Sequence, residues 1–289
     1  MSSFRLERIL VPTDFSELAT SALGYASEIA AKAGAEIEVL YADPFLPPHH
    51  FLSTHIEEVV QAITHSKQLV GEELDRYLER NLSSEIEGRA VVIEDMPVPA
   101  IVKHSSEADI DLIIMGTHGR GGLSRVMLGS VTERVIRESD KPVLAVRVEG
   151  NHEVGSHPIR KIICPVNFSD IAKQAAGYAV GFSRMMGAEL VLFHVAEAGE
   201  SRSFESLTSE IDGWCCPEGR PEGVMLRSQV GEGKADEQVV AYARKEKADL
   251  IILGAQHRLF SDTTVIGTTT IRVVRHASCP VLTVIARPA

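Results

Sequence analysis

Apolar and polar positions along this chain alternate between two textures. Short, nearly continuous apolar runs (RILVP, EIEVLYA, GRAVVIE, DLIIMG, PVLAVRV) are separated by longer segments whose apolar residues recur every three or four positions. The runs are strand-sized and suit strands covered on both faces. The separators read as helices at 16–34, within 55–81, at 99–108 and at 130–139. Gly34 ends the first of them, as a glycine after the last helical turn commonly does. Strands alternating with helices predict parallel βαβ units with right-handed crossovers. In such open sheets ligands collect at the carboxyl ends of the strands. The loop carrying Asp14 and the loop opening at Gly116 therefore share one rim.

The pattern occurs twice. RILVPTDFSELATSALGYASEIAAKAGAEIEVL, 8–40, aligns without a gap on KIICPVNFSDIAKQAAGYAVGFSRMMGAELVLF, 161–193, at an offset of 161 − 8 = 153. A later block, ADIDLIIMG…KPVLAV against KADLIILG…CPVLTV, runs at 254 − 116 = 138, so the second copy is shorter by 153 − 138 = 15 residues. A duplication of this size implies two domains, 1–150 and 151–289, joined near the polar stretch 149–158. The divergent segment 200–223, broken by Gly and Pro, predicts a truncated helix or a loop, with Trp214 packing over the sheet edge.

Composition narrows the function without naming it. A chain of 289 residues suits two domains of about 150 each. A net charge of −11 argues against nucleic acid or an anionic membrane surface as the main partner. No apolar run approaches the roughly 20 residues of a membrane span. The start MSSFRLERIL has no apolar signal region, so the expected compartment is the cytoplasm. Cys164 and Cys279 lie in apolar runs and read as buried, and the adjacent Cys215 and Cys216 read as reduced loop thiols. His49, His50 and His55, with His152 and His157 beside the linker, read as solvated loop residues rather than zinc ligands. Glu57, Glu58, Glu72, Glu73, Asp75 and Glu79 read as the outer face of the long helix.

The chemistry concentrates in GTHGRGGLSRVMLGSVTERV, 116–135. Gly116, Gly119 and Gly129 leave room for close backbone approach to a ligand. Ser130 to Glu133 reads as a capping box opening a helix whose free N–H groups and dipole favour an anion. The hydroxyls of Ser130 and Thr132 would add donors to phosphate oxygens, and Arg120 and Arg125 would add positive charge. No Gly-Lys-Ser/Thr follows, so this is not a P-loop, and no dinucleotide fingerprint follows the first strand.

ILVPTDFSELATSAL, the Gly116–Gly119–Gly129–Ser130 spacing (Gly-x2-Gly-x9-Gly-Ser/Thr) and the duplication together resemble a tandem universal stress protein, over nearly all of both repeats. The resemblance implies two tandem α/β domains of the Rossmann-like, adenine nucleotide alpha hydrolase-like type. Each would be an open five-stranded parallel sheet flanked by helices, the last strands pairing across an intramolecular pseudo-dimer. It also implies ATP, with AMP or ADP as alternatives and Mg accompanying the nucleotide. Pro12, Thr13 and Ala42 would line the adenine, and Asp14 would hold the ribose or adenine side. Met115, Gly116, His118, Gly119, Arg120, Gly129, Ser130, Val131 and Thr132 would surround ribose and phosphates. In the second repeat Asn167 replaces Asp14 and His257 replaces Gly119, while Gly254, Gly267 and Thr268 persist. That half is expected to keep the fold and not to hold ATP in the same way.

The implied role is a nucleotide-dependent stress-response regulator with an unidentified protein partner, and the tandem chain's own dimerisation stays open. Two other readings stand beside it. One is an interaction module that binds no nucleotide. The other is slow ATP hydrolysis or autophosphorylation at Ser130 or Thr132, with His118 the nearest base.

Overall fold

Ser16 and Ser169 occupy the same place in the two copies and do the same work. Each side-chain oxygen accepts from an amide three residues on, Ala19 N at 3.2 Å and Ala172 N at 3.3 Å, and each helix ends on a left-handed glycine, Gly34 or Gly187. The computed structural model describes residues 4–44, 56–117, 128–147, 158–197, 199–217, 219–255, 257–260 and 263–285, without the side chains of 56–64, 66, 257–260 and 263–266. The first half runs β1 (Arg8–Pro12), α1 (Glu17–Ala33), β2 (Glu36–Ala42), α2 (Ile56–Asn81), β3 (Gly88–Ile93), α3 (Pro97–Glu107), β4 (Leu112–Gly116), α4 (Ser130–Glu138) and β5 (Val143–Val146). The second runs β6 (Lys161–Val166), α5 (Asp170–Met186), β7 (Glu189–Ala196), α6 (Phe204–Cys215), β8 (Leu226–Glu232), α7 (Ala235–Glu246) and β9 (Leu250–Ala255). It closes with β10 (His257–Phe260), β11 (Thr263–Ile266), α8 (Thr268–His276) and β12 (Val281–Ile285).

The strands form one ten-stranded sheet in the order β3-β2-β1-β4-β5-β12-β9-β6-β7-β8. Each half supplies five parallel strands, and the halves meet where β12 runs antiparallel to β5, Leu282 opposite Leu144. The mixed α/β fold and the pairing of last strands are as the resemblance implies. Alternate side chains of the central strands enter two apolar layers. Ile9, Val11, Ile37 and Val39 pack with α1, α2, α5 and α6, while Leu10, Leu40, Ile113 and Met115 pack with the α3, α4, α7 and α8 side.

Further contacts join the halves. Phe4 lays its ring edge-on to Tyr178 of α5, centroids 4.9 Å apart, over Gly181, where a Cβ would come within 2.4 Å of the Phe4 ring. Glu133 of α4 pairs with Arg275 of α8 at 2.8 Å, and Arg147 donates to the Arg275 carbonyl.

The divergent segment forms the truncated helix that is one of the two expectations for it, α6, and Trp214 packs edge-on to Phe168 at 5.5 Å. Two details differ from the sequence reading. The segment corresponding to the glycine loop folds in the second half as an antiparallel hairpin, β10 on β11. Ser130 does not cap α4: Gly129 is the N-cap, with no side-chain cap bond, and Glu133 faces Arg137 and Arg275 instead. The two arginines outcompete a neutral amide for the carboxylate.

Among the described residues no helix is long and apolar enough to cross a membrane. Among them too, no three His, Cys, Asp or Glu side chains cluster as metal ligands. His49, His50, His55, His152 and His157 lie outside the described residues, as do the side chains of Glu57 and Glu58. Glu72, Asp75 and Glu79 are exposed and Glu73 half-buried, on the outer face of α2. Cys164 and Cys279 are buried free thiols, and burial beside Cys216 pushes Cys215 up to about 12, an unreactive value.

Candidate nucleotide site

The rim of the first half is assembled from backbone first. Leaving β1, Thr13 N donates to Leu40 O at 2.8 Å, which holds the turn against β2. The turn then folds on itself. Thr13 Oγ1 accepts from Phe15 N at 3.0 Å, and Asp14 Oδ1 accepts from Ser16 N at 3.1 Å. Phe15 takes a left-handed conformation, φ 60°, as does Phe168 in the other half, φ 61°. Such strain costs on the order of 1–3 kcal/mol and persists only where its surroundings enforce it. Here Phe15 sits against Tyr41 and Tyr77, centroids 5.2 and 5.4 Å away.

Tyr77 is a residue the sequence reading missed. From α2 its hydroxyl reaches Thr20 Oγ1 at 3.0 Å and hydrogen-bonds Thr13. Burial raises its pKa, those two bonds oppose the rise, and the nearby Asp14 charge adds to it. Its signal in the sequence was only the apolar stripe Leu74–Tyr77–Leu78 of an amphipathic helix.

On the neighbouring strand, Met115 is buried at the end of β4 and Gly116 follows it. A Cβ on Gly116 would meet Leu18 Cβ at 3.0 Å and its carbonyl carbon and oxygen at 3.2 Å. The close neighbour at this glycine is therefore the first turn of α1. Gly254 repeats the arrangement under Ile171, with Cγ2 at 2.4 Å and the carbonyl oxygen at 3.0 Å. Thr132, 3% exposed, donates its hydroxyl to Gly116 O at 2.7 Å, and Thr270 does the same to Gly254 O at 3.3 Å. That hydroxyl ties α4 to β4, and its proton is not available to a phosphate. Gly129 N donates to Thr117 O at 2.6 Å, which brings the start of α4 down onto the end of β4. Ser130 is exposed at the first helical position, and Val131 is half-buried beside it.

Pro12, Thr13, Asp14 and Ala42 thus lie at the carboxyl ends of β1 and β2, and Met115 and Gly116 at the end of β4. Gly129, Ser130, Val131 and Thr132 lie at the start of α4. His118, Gly119, Arg120 and Arg125 lie outside the described residues. In the second half the counterparts of this set converge. Pro165, Val166, Asn167 and Val195 line one cavity together with Leu253, Gly254, Gly267, Thr269 and Thr270.

A doubled α/β unit, five parallel strands flanked by helices in each half, defines a Rossmann-like protein arranged in tandem. The profile of the universal stress protein family matches residues 5–147 and again 158–284. This chain belongs to the universal stress protein family. It is 24% identical over 295 residues to universal stress protein Slr1230 of Synechocystis sp., covering 96% of this chain and 99% of that protein. Universal stress protein MJ0577 of Methanocaldococcus jannaschii is 33% identical over 161 residues, 50% of this chain and 97% of that one. A crystal structure of a universal stress protein from Archaeoglobus fulgidus shares the fold with a TM-score of 0.74 at 23% identity, covering 97% of this chain and 98% of that one.

Proposed function

We propose that the first half, residues 1–150, binds one adenine nucleotide and that the chain acts as a nucleotide-dependent regulator in a stress response. ATP is the first candidate, with AMP and ADP as alternatives. The observation that carries the reading is the rim itself, which gathers the Asp14 turn, held to β2 by Thr13 N and Leu40 O, and a helix start without a capping side chain, held to the end of β4 by Gly129 N and Thr117 O. An ionised carboxylate is a charge-assisted acceptor for a ribose hydroxyl or an amino group. Amides of Ser130 and Val131, at a helix start carrying partial positive charge, suit phosphate oxygens. Mg2+ would enter with the phosphates, which together with water supply most of its ligands. Residues 151–289 form the partner half.

Of the two candidate phosphoacceptors, Thr132 is set aside because it is buried and already donates to Gly116 O. Binding, with at most slow turnover, is the reading we carry forward. The test is calorimetric titration of the whole chain with ATP and of Asp14→Asn, which writes the second half's residue into the first. Saturable binding in the wild type, weakened about tenfold or more in the variant, is the expected result, roughly 1.4 kcal/mol. Equal affinity of the two proteins would remove Asp14 from the site.

A further inference from the structure

The rim of the second half encloses a cavity of about 290 Å³. We propose that it is a ligand site of its own, taking a small uncharged compound of one or two fused rings, without phosphate, whatever the first half holds. Four observations lead there.

The cavity is small, at the low end of the roughly 300–1,000 Å³ that ligand pockets span. Its floor is bulkier and more apolar than the corresponding floor of the first half, with Phe193 in the place of Leu40 and Val195 in the place of Ala42. Ile171, Val239, Leu253 and Val273 complete an apolar lining, and among the described residues none that faces the cavity carries a charge. A ring bearing little charge gains from that burial, whereas a phosphate would lose its hydration with no charged side chain among the described residues to replace it.

Three polar groups on the wall are committed to the wall. Asn167 Oδ1 accepts from Ser169 N at 3.3 Å and from Ser169 Oγ at 2.7 Å. Ser169 Oγ accepts from Ala172 N, and Thr270 Oγ1 donates to Gly254 O. Finally, the chain that in the first half carries the glycine-rich loop is here the β10–β11 hairpin, His257 opposite Ile266 and Phe260 opposite Thr263. Alternate amides of the hairpin serve its ladder, in an extended backbone rather than a glycine-rich turn.

The protein carries its own reporter. Trp214 is the chain's one tryptophan, and its ring stands edge-on to Phe168, which lies between Asn167 and Ser169 in a left-handed turn. Phe168 does not itself line the cavity, but Asn167 and Ser169 on either side of it do, so a ligand that moves their turn changes the Trp214 environment. The experiment titrates the full chain with adenine, an uncharged bicycle, and with AMP, the same ring bearing ribose phosphate. Binding is read by Trp214 emission and by saturation transfer to the adenine protons.

Saturable adenine binding is expected, with AMP at least about tenfold weaker at the same signal. Ala235→Phe and Thr269→Phe each place a ring at the mouth from an exposed position, so both variants should stay folded and lose adenine binding. Asp14→Asn should leave the Trp214 response to adenine unchanged, which separates this site from the nucleotide reading of the first half. No response by either readout up to millimolar adenine overturns the proposal. So does AMP titrating the Trp214 signal as tightly as adenine, or binding that survives both mouth variants and vanishes with Asp14→Asn.

Discussion

Gly116 and Gly254 show why a residue type read correctly can have a different cause from the one that first suggests itself. In sequence Gly116 looks like room for a ligand, yet it and Gly254 are each required because the first turn of α1 or α5, at Leu18 or Ile171, rests directly on the end of β4 or β9. This answers why the second copy keeps this glycine after its loop has diverged. Gly116→Ala pushes a methyl against the Leu18 backbone, which cannot yield as a flexible side chain would. The expected cost is about 1–3 kcal/mol of stability by denaturant titration. An unchanged midpoint would show that α1 can lift from β4 without penalty. The place of Asp14, in the turn after an apolar strand, was legible from the run that precedes it. Tyr77 and the buried role of the Thr132 hydroxyl were not, since contacts across 57 and 16 residues leave no local pattern.

At the scale of elements, periodicity placed the nine strands and helices of the first half to within one or two residues at most ends, because apolar runs and helical stripes follow directly from burial. The β10–β11 hairpin escaped, although its signal existed: HRLF and TTVI are four-residue runs separated by two residues, Ser-Asp, a spacing that favours a hairpin.

The β2–β3–α3 contact holds a feature with a pH signature. Glu38 is fully buried and meets His104 at 2.7 Å and the Arg89 guanidinium. Burial alone would raise its pKa, but the bonds from His104 and Arg89 prevail and hold it below its ordinary value. A depressed carboxylate stabilises the fold above its unfolded pKa, about 4.3, and the contribution disappears as pH falls through the folded value. Glu38→Gln should therefore cost about 1–3 kcal/mol at neutral pH, and the gap to wild type should close as pH drops below about 4. A gap that persists in acid would mean the loss is one of packing.

For the whole molecule the continuous sheet means that neither half presents its last strand as an open edge. The Glu133–Arg275 pair extends this seam to the first turn of α4, beside the candidate phosphate amides. Both side chains are partly exposed, so a double-mutant cycle with Glu133→Gln and Arg275→Gln should return a modest coupling of about 0.5–1 kcal/mol. Zero coupling would make the pair incidental to the seam.

As proposed, one half of this duplicated chain holds a nucleotide and the other does not. The direct measurement is the nucleotide content of the purified whole protein, followed by ATP titration of wild type and Gly119→His, which carries the second repeat's residue into the first loop. One adenine nucleotide per chain, lost in the variant, is the predicted result. Two per chain, or none with no titratable binding, would contradict it.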